Sequence, residues 1–393
     1  MTHFARPAAL ASALNSEEWE IFLWTPKRFH ALFENAAVTL GDLRTLDPAS
    51  FLKALATGAV AYSREILLDY VRDDLSIFKQ IQPDLVIGDY RLSLCISAPA
   101  SGLPFASIFN AHWSPFHRQP AVVPELPATR WISPGLLNPL YAALRPAFYA
   151  LHAKPVNDVR RAFGLPGISH DLRRIYTAGD LALYPDVPEL VPLTGVPEHH
   201  HFIGVCPWST PVPKPPWWND MVASSRPKVF VSLGSSGPVK ALPALLEALS
   251  RLPVSVILAT SGRPVGETPS SVFVADLLPY EETASHAAVV VSHGGTGGMY
   301  PALSAGTPML AIPSNVDMHL SAALLERSGA GIKVRVEHAS SDRLRGALDQ
   351  LLRESRFKHA AARWGDIIGR YETKTLFPDV LRRWFTAPRE GTT

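Results

Sequence analysis

Cysteine is nearly absent from this chain. Cys95 and Cys206 are its only two in 393 residues. That excludes a disulfide framework, a cysteine-based zinc site and a CxxC redox pair, and it fits a reducing compartment. Charge is scarce too. Asp, Glu, Lys and Arg make up 18% of the chain and the formal net charge is +2, so no electrostatic footprint for nucleic acid is present. No apolar run is long enough to span a bilayer, because the most apolar region, Ile132 to Leu151, is broken by Pro134, Pro139, Arg145 and Pro146. Met1-Thr-His-Phe-Ala-Arg6 lacks the apolar core of a signal peptide. A soluble, cytoplasmic protein is the expectation. The phosphate-binding P-loop, a GxGxxG after a strand and the hydrolase GxSxG elbow are also missing; Gly234-Ser-Ser-Gly237 is not the last of these.

Hydrophobic residues, by contrast, reach 47%, enough for well-filled cores, and the length exceeds what one core normally supports. Proline is plentiful, with 36 residues, about twice the usual share. Five prolines fall in Cys206-Pro-Trp-Ser-Thr-Pro-Val-Pro-Lys-Pro-Pro-Trp-Trp-Asn-Asp220, which reads as a stiff linker between two halves. Beyond it, short continuous apolar strands alternate with amphipathic helices: Val229–Leu233, Val254–Ala259, Val272–Val274, Val289–Ser292, Met309–Ile312 and Ile332–Val334. That alternation predicts a parallel sheet covered on both faces. The first half is similar but less regular, with strands at Glu20–Trp24, Pro83–Asp89, Phe105–Phe109 and Leu181–Tyr184. It opens on a helix, so the first strand of its sheet is missing or lies upstream of Met1.

The richest stretch is His293-Gly-Gly-Thr-Gly-Gly298, between the strand ending at Ser292 and a helix read from Met299. A glycine-rich turn there presents backbone N–H groups to an anion, with the helix N-terminus adding partial positive charge and the histidine a side-chain donor. The surrounding order is Val229-Phe-Val-Ser-Leu-Gly-Ser-Ser236, Leu277-Leu-Pro-Tyr280, the His293 turn, Ala305-Gly-Thr-Pro-Met309 and Val316-Asp-Met-His319. These five spaced elements resemble the donor domain of GT-B glycosyltransferases, specifically the inverting family 1 group of bacterial macrolide and plant natural-product enzymes.

The resemblance implies an α/β fold of two Rossmann-like domains facing across a cleft. An acceptor domain would span residues 1–205, the linker 206–220, a nucleotide-sugar domain 221–370, and a C-terminal helix in 371–393 would cross back. It implies a metal-independent inverting transfer with a UDP- or dTDP-type nucleotide sugar as co-substrate and no other cofactor. In the family, residues matching His293, Gly295, Thr296 and Gly297 hold the diphosphate. Ser235 and Ser236 reach the phosphates or nucleoside, Leu278 packs on the base, and Asp317, followed by Met318, meets the sugar. Thr2-His-Phe-Ala-Arg-Pro7 matches the family's N-terminal loop, which puts His3 at the position of the catalytic base. Asp89 is the candidate carboxylate partner, or simply a strand-end acid capping the next helix.

Three positions depart from the pattern. Pro301 stands where the family keeps a ribose-binding Glu, Gly298 where it keeps a Ser or Thr, and Met318 where it keeps a Gln. Each loss removes a hydrogen bond worth about 1–3 kcal/mol when buried, which points to a donor less polar than glucose, such as a deoxysugar. In the first half, His112 and Trp113 follow a strand, where they either contact acceptor or pack. His199-His-His201 is not expected to hold a metal, because it lies at a loop–strand junction where period-two alternation points neighbours to opposite faces. The apolar stretch between Pro124 and Pro155 reads as core helix, as a greasy acceptor pocket, or as a surface for peripheral membrane contact. The acceptor is expected to be an apolar molecule bearing a hydroxyl. Three alternatives stay open: a nucleotide-sugar epimerase on the same fold, a catalytically impaired nucleotide-sugar binder, and an interaction module of a glycosylation complex.

Overall fold

Short strands that are apolar on both faces cannot be satisfied by one layer of cover, and here helices flank parallel sheets. The computed structural model describes residues 2–33, 37–207, 212–234, 237–263, 265, 268 and 271–387, with side chains for all of these except 2–5, 32, 56 and 127. They divide into two compact units. The first gathers described residues of 1–118, 144–208 and 371–393; the second gathers those of 119–143 and 209–370.

In the first unit the order is α1 (Thr2–Ser12), β1 (Phe22–Thr25), β2 (Thr39–Asp42), α2 (Pro48–Thr57), α3 (Arg64–Ile81), β3 (Val86–Asp89), α4 (Leu94–Ala100) and β4 (Phe105–Ile108). Helix α5 (Pro134–Ala162) starts among the residues of the second unit and continues in the first, where α6 (Leu172–Tyr176), β5 (Leu181–Tyr184) and β6 (His200–Phe202) follow. Strands β3-β4-β5-β6 form one parallel sheet, and β1 pairs with β2 in a separate parallel pair. All four residues of β4 and of β5 are buried. Ser63 starts α3 by accepting from the Ile66 amide, the usual role of a serine N-cap.

The second unit runs α7 (Trp218–Ala223), β7 (Lys228–Ser232), α8 (Leu242–Ser250), β8 (Ser255–Ala259), β9 (Val272–Ala275), α9 (Tyr280–Ser285), β10 (Val289–Ser292) and α10 (Thr296–Ser304). It continues through β11 (Met309–Ala311), α11 (Val316–Ser328), β12 (Gly331–Lys333), α12 (Ser341–Arg353) and α13 (Ser355–Ile368). The final helix, α14 (Thr373–Thr386), belongs to the first unit and packs against α1. The described strands of the second unit form one parallel sheet in the order β12-β11-β10-β7-β8-β9. Its central residues Val229, Phe230, Val231, Val289, Val290 and Val291 are wholly buried. Each such side chain contributes roughly 1.5–3 kcal/mol of burial, which is why these strands read as continuous apolar runs.

The structure departs from the expected division of the chain in two places. The proline-rich stretch is more than a linker: Trp217 Nε1 donates to the Val274 carbonyl at 3.0 Å and Trp218 is buried. Residues 119–143, in the first half of the sequence, group with the second unit. Side-chain partners explain this. His319 Nε2 and Glu125 Oε1 are 2.8 Å apart, the Arg335 guanidinium donates to the Val123 carbonyl at 2.9 Å, and Arg335 is paired with Glu337 at 2.7 Å. His319 is wholly buried, so Glu125 answers a polar ring that has no access to water. Glu125→Ala removes that partner and is expected to cost about 1–3 kcal/mol. The measurement is denaturant unfolding combined with limited proteolysis. Unchanged stability and unchanged cleavage within 119–143 would show the pair to be idle.

Candidate functional site

The order of the second sheet decides where its site lies. From β7 the chain moves outward through β8 and β9, then returns to β10 on the opposite flank of β7. Strand order reverses between β7 and β10, whose registers run Val229↔Val289 to Ser232↔Ser292. Ligands of open parallel sheets sit beyond the carboxyl ends of strands at such a reversal. The turn after β7, with Leu233, Gly234 and Gly237, and the turn after β10, with His293 and Gly294, therefore meet there.

They meet around the His293 imidazole. A Cβ on Gly234 would lie 3.0 Å from His293 Cε1, and one on Gly295 would lie 2.8 Å from Nε2. Gly237 is tighter still, since its Cβ would fall 1.9 Å from the Leu233 carbonyl oxygen and 3.1 Å from His293 Cβ. A side chain at Gly295 would make the ring shift, one at Gly234 would press on it, and one at Gly237 would collide with the Leu233 carbonyl. Burial pushes the imidazole down to about 4; the Asp317 carboxylate opposes that shift and Arg263 reinforces it. At neutral pH His293 is therefore uncharged and offers one N–H donor. The cationic group near it is Arg263, whose guanidinium donates to the Gly237 carbonyl at 3.1 Å.

The helix after β10 begins at Thr296, three residues before the reading from Met299, so Gly297 and Gly298 lie within its first turn. Gly295 is the N-cap and supplies no side-chain acceptor for the first-turn amides, an arrangement that an anion completes. The loop is tied down elsewhere. The Gly294 amide donates to Ser292 Oγ at 3.1 Å, and Ser321 Oγ donates to the Gly294 carbonyl at 2.7 Å. Ser321 stands on α11, the helix that carries Asp317 in its first turn. The Asn315 side chain caps α11 by accepting from the Met318 amide at 3.0 Å.

Asp317 is thus brought beside His293, while Met318 is buried, with the Ser314 hydroxyl on its sulfur at 3.5 Å. Leu278 is buried as well, whereas its neighbour Leu277 is exposed; of the two, Leu277 is open to a ligand. Ser235 and Ser236 lie outside the described residues.

In the first unit, His3 falls in the first turn of α1, and its side chain lies outside those described. Three residues on, the buried Arg6 faces Asp89 at the end of β3, with Nη1 to Oδ2 at 3.6 Å, and donates to Asn110 Oδ1 at 2.7 Å. Asp186 accepts from the Ala111 amide at 2.6 Å. His112 and Trp113 follow β4 with both side chains buried, Trp113 lying edge-on to Tyr176 with ring centroids 5.8 Å apart. His200 of the histidine triplet is engaged by the Tyr184 hydroxyl at 2.6 Å.

Residues 243–367 match the family model described as Erythromycin biosynthesis protein CIII-like, C-terminal domain. The chain is 38% identical over 370 residues to a PGL/p-HBAD biosynthesis glycosyltransferase of Mycobacterium tuberculosis, covering 94% of this chain and 86% of that protein. It is 40% identical over 371 residues to a PGL/p-HBAD biosynthesis rhamnosyltransferase of Mycobacterium bovis, covering 94% and 82%. The chain belongs to this glycosyltransferase family. The fold of this glycosyltransferase is also that of the spinosyn rhamnosyltransferase SpnG solved with thymidine diphosphate, with a TM-score of 0.71, 18% identity and 97% of both chains covered.

Two residues of the glycosyltransferase's loop region escape a motif reading. Arg263 follows β8, far from the glycine turn in sequence, and only the fold brings it to Gly237. Tyr280 donates to the Gly298 carbonyl at 3.2 Å and stacks edge-on to Phe230 at 4.9 Å. It also explains a departure from the family pattern. A Cβ on Gly298 would lie 2.9 Å from Tyr280 Oη and 3.1 Å from Ser292 Oγ, so the hydroxyl of Tyr280 fills the space that a Ser or Thr would take.

Gly298→Ser is accordingly expected to destabilise this glycosyltransferase by about 1–3 kcal/mol, read by denaturant unfolding. Pairing it with Tyr280→Phe should recover part of that loss, and a neutral Gly298→Ser would refute the packing argument. The depressed His293 gives a pH prediction. An ordinary histidine binds its proton near 6.5, and this one near 4. Between those values the unfolded chain holds more protons, so stability present above pH 6.5 falls as pH drops toward 4. His293→Gln should flatten that fall by roughly 1–3 kcal/mol. Parallel unfolding curves for the two proteins at pH 7 and pH 5 would overturn the assignment.

Proposed function

We propose that this glycosyltransferase moves a sugar from a UDP- or dTDP-type nucleotide sugar to a hydroxyl of an apolar small molecule or lipid, inverting the anomeric centre. The observation that carries this reading is the His293 turn at the reversal of strand order, with Asp317 held beside it. The leaving group is a nucleoside diphosphate, so catalysis needs donors aimed at developing phosphate charge. The first-turn amides of α10, the neutral His293 N–H and the Arg263 guanidinium are groups of that kind, and in this reading they do the work without a resident metal. Asp317 accepts hydrogen bonds from sugar hydroxyls. A relative is named a rhamnosyltransferase and the fold neighbour holds thymidine diphosphate. Both accord with a deoxyhexose donor, as does Pro301 at a position where the family keeps a polar group.

On the acceptor side His3 takes the hydroxyl proton. The freed oxygen pair forms the bond to the anomeric carbon as the carbon–oxygen bond to phosphate breaks, and the diphosphate leaves with that bonding pair. Neutral imidazole is suited to the proton transfer near pH 7. Asp89 is the carboxylate assigned to orient it; Arg6, on the same helix as His3, ties that helix to Asp89 and supports the pairing. An acceptor of this class partitions into bilayers, so the reading includes peripheral contact with a membrane surface. Two buried free cysteines accord with a cytoplasmic setting.

The test is release of nucleoside diphosphate from UDP- and dTDP-sugars, with and without a soluble alkyl-phenol acceptor. Acceptor-dependent release that persists in a chelator is expected. His3→Ala should lower kcat by about 10²–10⁴, and Asp317→Asn should lower kcat/KM by about 10–100-fold. Acceptor-independent turnover would overturn transfer, and a His3→Ala protein at full rate would overturn the base.

A further inference from the structure

The solvent side of α5 is the reverse of an ordinary surface helix. Surface helices bury their apolar stripe and show charge to water. Between Gly135 and Leu151 every exposed residue of α5 is leucine, alanine, proline or glycine, while its polar residues Asn138, Tyr141 and Arg145 are less exposed. Leu136, Leu140 and Leu144 recur at four-residue spacing, so they lie on one side of the helix, and Leu151 is exposed as well. Just before the helix, Ile132 is exposed and Trp131 stands 89% exposed. Isolated exposed apolar residues need no explanation, but a contiguous face marks an interaction site.

Charge identifies what covers it. From Leu126 to Asn157 the sequence contains no Asp or Glu, while Arg130, Arg145 and Lys154 lie along it. Lys154 is paired with Asp158 at 2.5 Å, and the exposed Arg130, next to Trp131, sets the sign. A tryptophan at the edge of an apolar helix face, with arginine and no carboxylate, is the composition that rests in the headgroup region of an anionic bilayer. Among the described residues no helix is long and apolar enough to cross a membrane, so the contact lies on the surface.

We infer that the exposed face of α5, with Trp131 and Ile132, docks this glycosyltransferase on an anionic lipid surface. The inference rests on the reading of an acceptor that partitions into bilayers, and it names the surface that brings the enzyme to it. The segment beneath is anchored: Asn138 Oδ1 accepts from the Val123 amide at 3.0 Å, next to the Glu125–His319 pair. The face is thus held by the protein and does not depend on lipid to form.

The test is flotation of the full chain, without donor or acceptor, on phosphatidylcholine vesicles with and without phosphatidylglycerol. The protein should float with the phosphatidylglycerol vesicles and less with phosphatidylcholine alone. Leu136→Ser, Leu140→Ser and Leu144→Ser together should reduce binding about tenfold or more, and Arg130→Glu should abolish the anionic preference. Melting temperature and donor binding report on folding. Should the triple variant fail to fold, Trp131→Ser reads the same face from outside the helix. A wild-type protein that floats with neither vesicle overturns the proposal, and equal flotation with both overturns its anionic part. A dimer by light scattering that the triple variant converts to monomer, without flotation, would make the face a contact between copies. Turnover of the soluble alkyl phenol stands apart from all of these, so loss of vesicle binding and loss of transfer are separately visible.

Discussion

The candidate site of the second unit depends on one steric constraint, the close approach of two turns around an imidazole. Strands β7 and β10 are neighbours in the sheet but distant in sequence, and their turns can converge only if neither carries a side chain into the gap. Gly234, Gly237 and Gly295 leave that gap open, and His293 fills it. The same closeness takes the ring out of water and keeps it neutral. A neutral ring presents one donor and no charge, which leaves the positive charge of the region to the helix end and to Arg263. The glycines of the two turns, their convergence and the protonation state of the ring are therefore consequences of a single packing arrangement.

Much of this was legible in the sequence, because strands buried on both faces announce themselves as unbroken apolar runs. Val289–Ser292 and Leu181–Tyr184 lie at the residues read from pattern alone, the other strands read lie within a few positions, and β2 and β6 are not read at all. What pattern could not supply was the purpose of particular glycines. His293-Gly-Gly-Thr-Gly-Gly298 reads as a loop closing before a helix, because glycine lowers helix propensity. Instead the helix already includes Gly297 and Gly298. Packing overrides propensity there: Tyr280 and Ser292 leave no room for a Cβ at Gly298. A position that looks like a lost hydrogen bond in comparison with the family is, in this chain, the seat of a tyrosine hydroxyl.

Long-range polar pairs were the least legible feature. Nothing in the local sequence connects Glu125 with His319, Arg335 with Val123, or Arg6 with Asp89, since each pair is separated by more than eighty positions and no periodicity links them. Yet such pairs decide which unit a segment joins. Residues 119–143 precede the proline-rich stretch and would be assigned with the first half on order alone. A buried histidine in need of a partner, met by Glu125, outweighs chain order.

Helix α5 shows a different difficulty, in which the pattern leaves open which way the apolar face points. Apolar residues at helical spacing are normally taken to face a core, and Pro139, Pro146 and Pro155 argue against one long helix, because each removes a backbone donor. The chain nonetheless forms 29 residues of helix and turns its leucines outward. Periodicity fixes that a helix has two faces, but it does not say which faces the protein. That assignment comes from the competing face, and here Tyr149, Ala153, Val156 and Val159 are the buried ones. That buried set lies in the later turns of the helix, and Leu136, Leu140 and Leu144, in the earlier turns, are left outside the core. Apolar surface on a stretch of sequence that lacks Asp and Glu is unfavourable in water and favourable against anionic lipid, which is the physical basis of the docking proposed for this face.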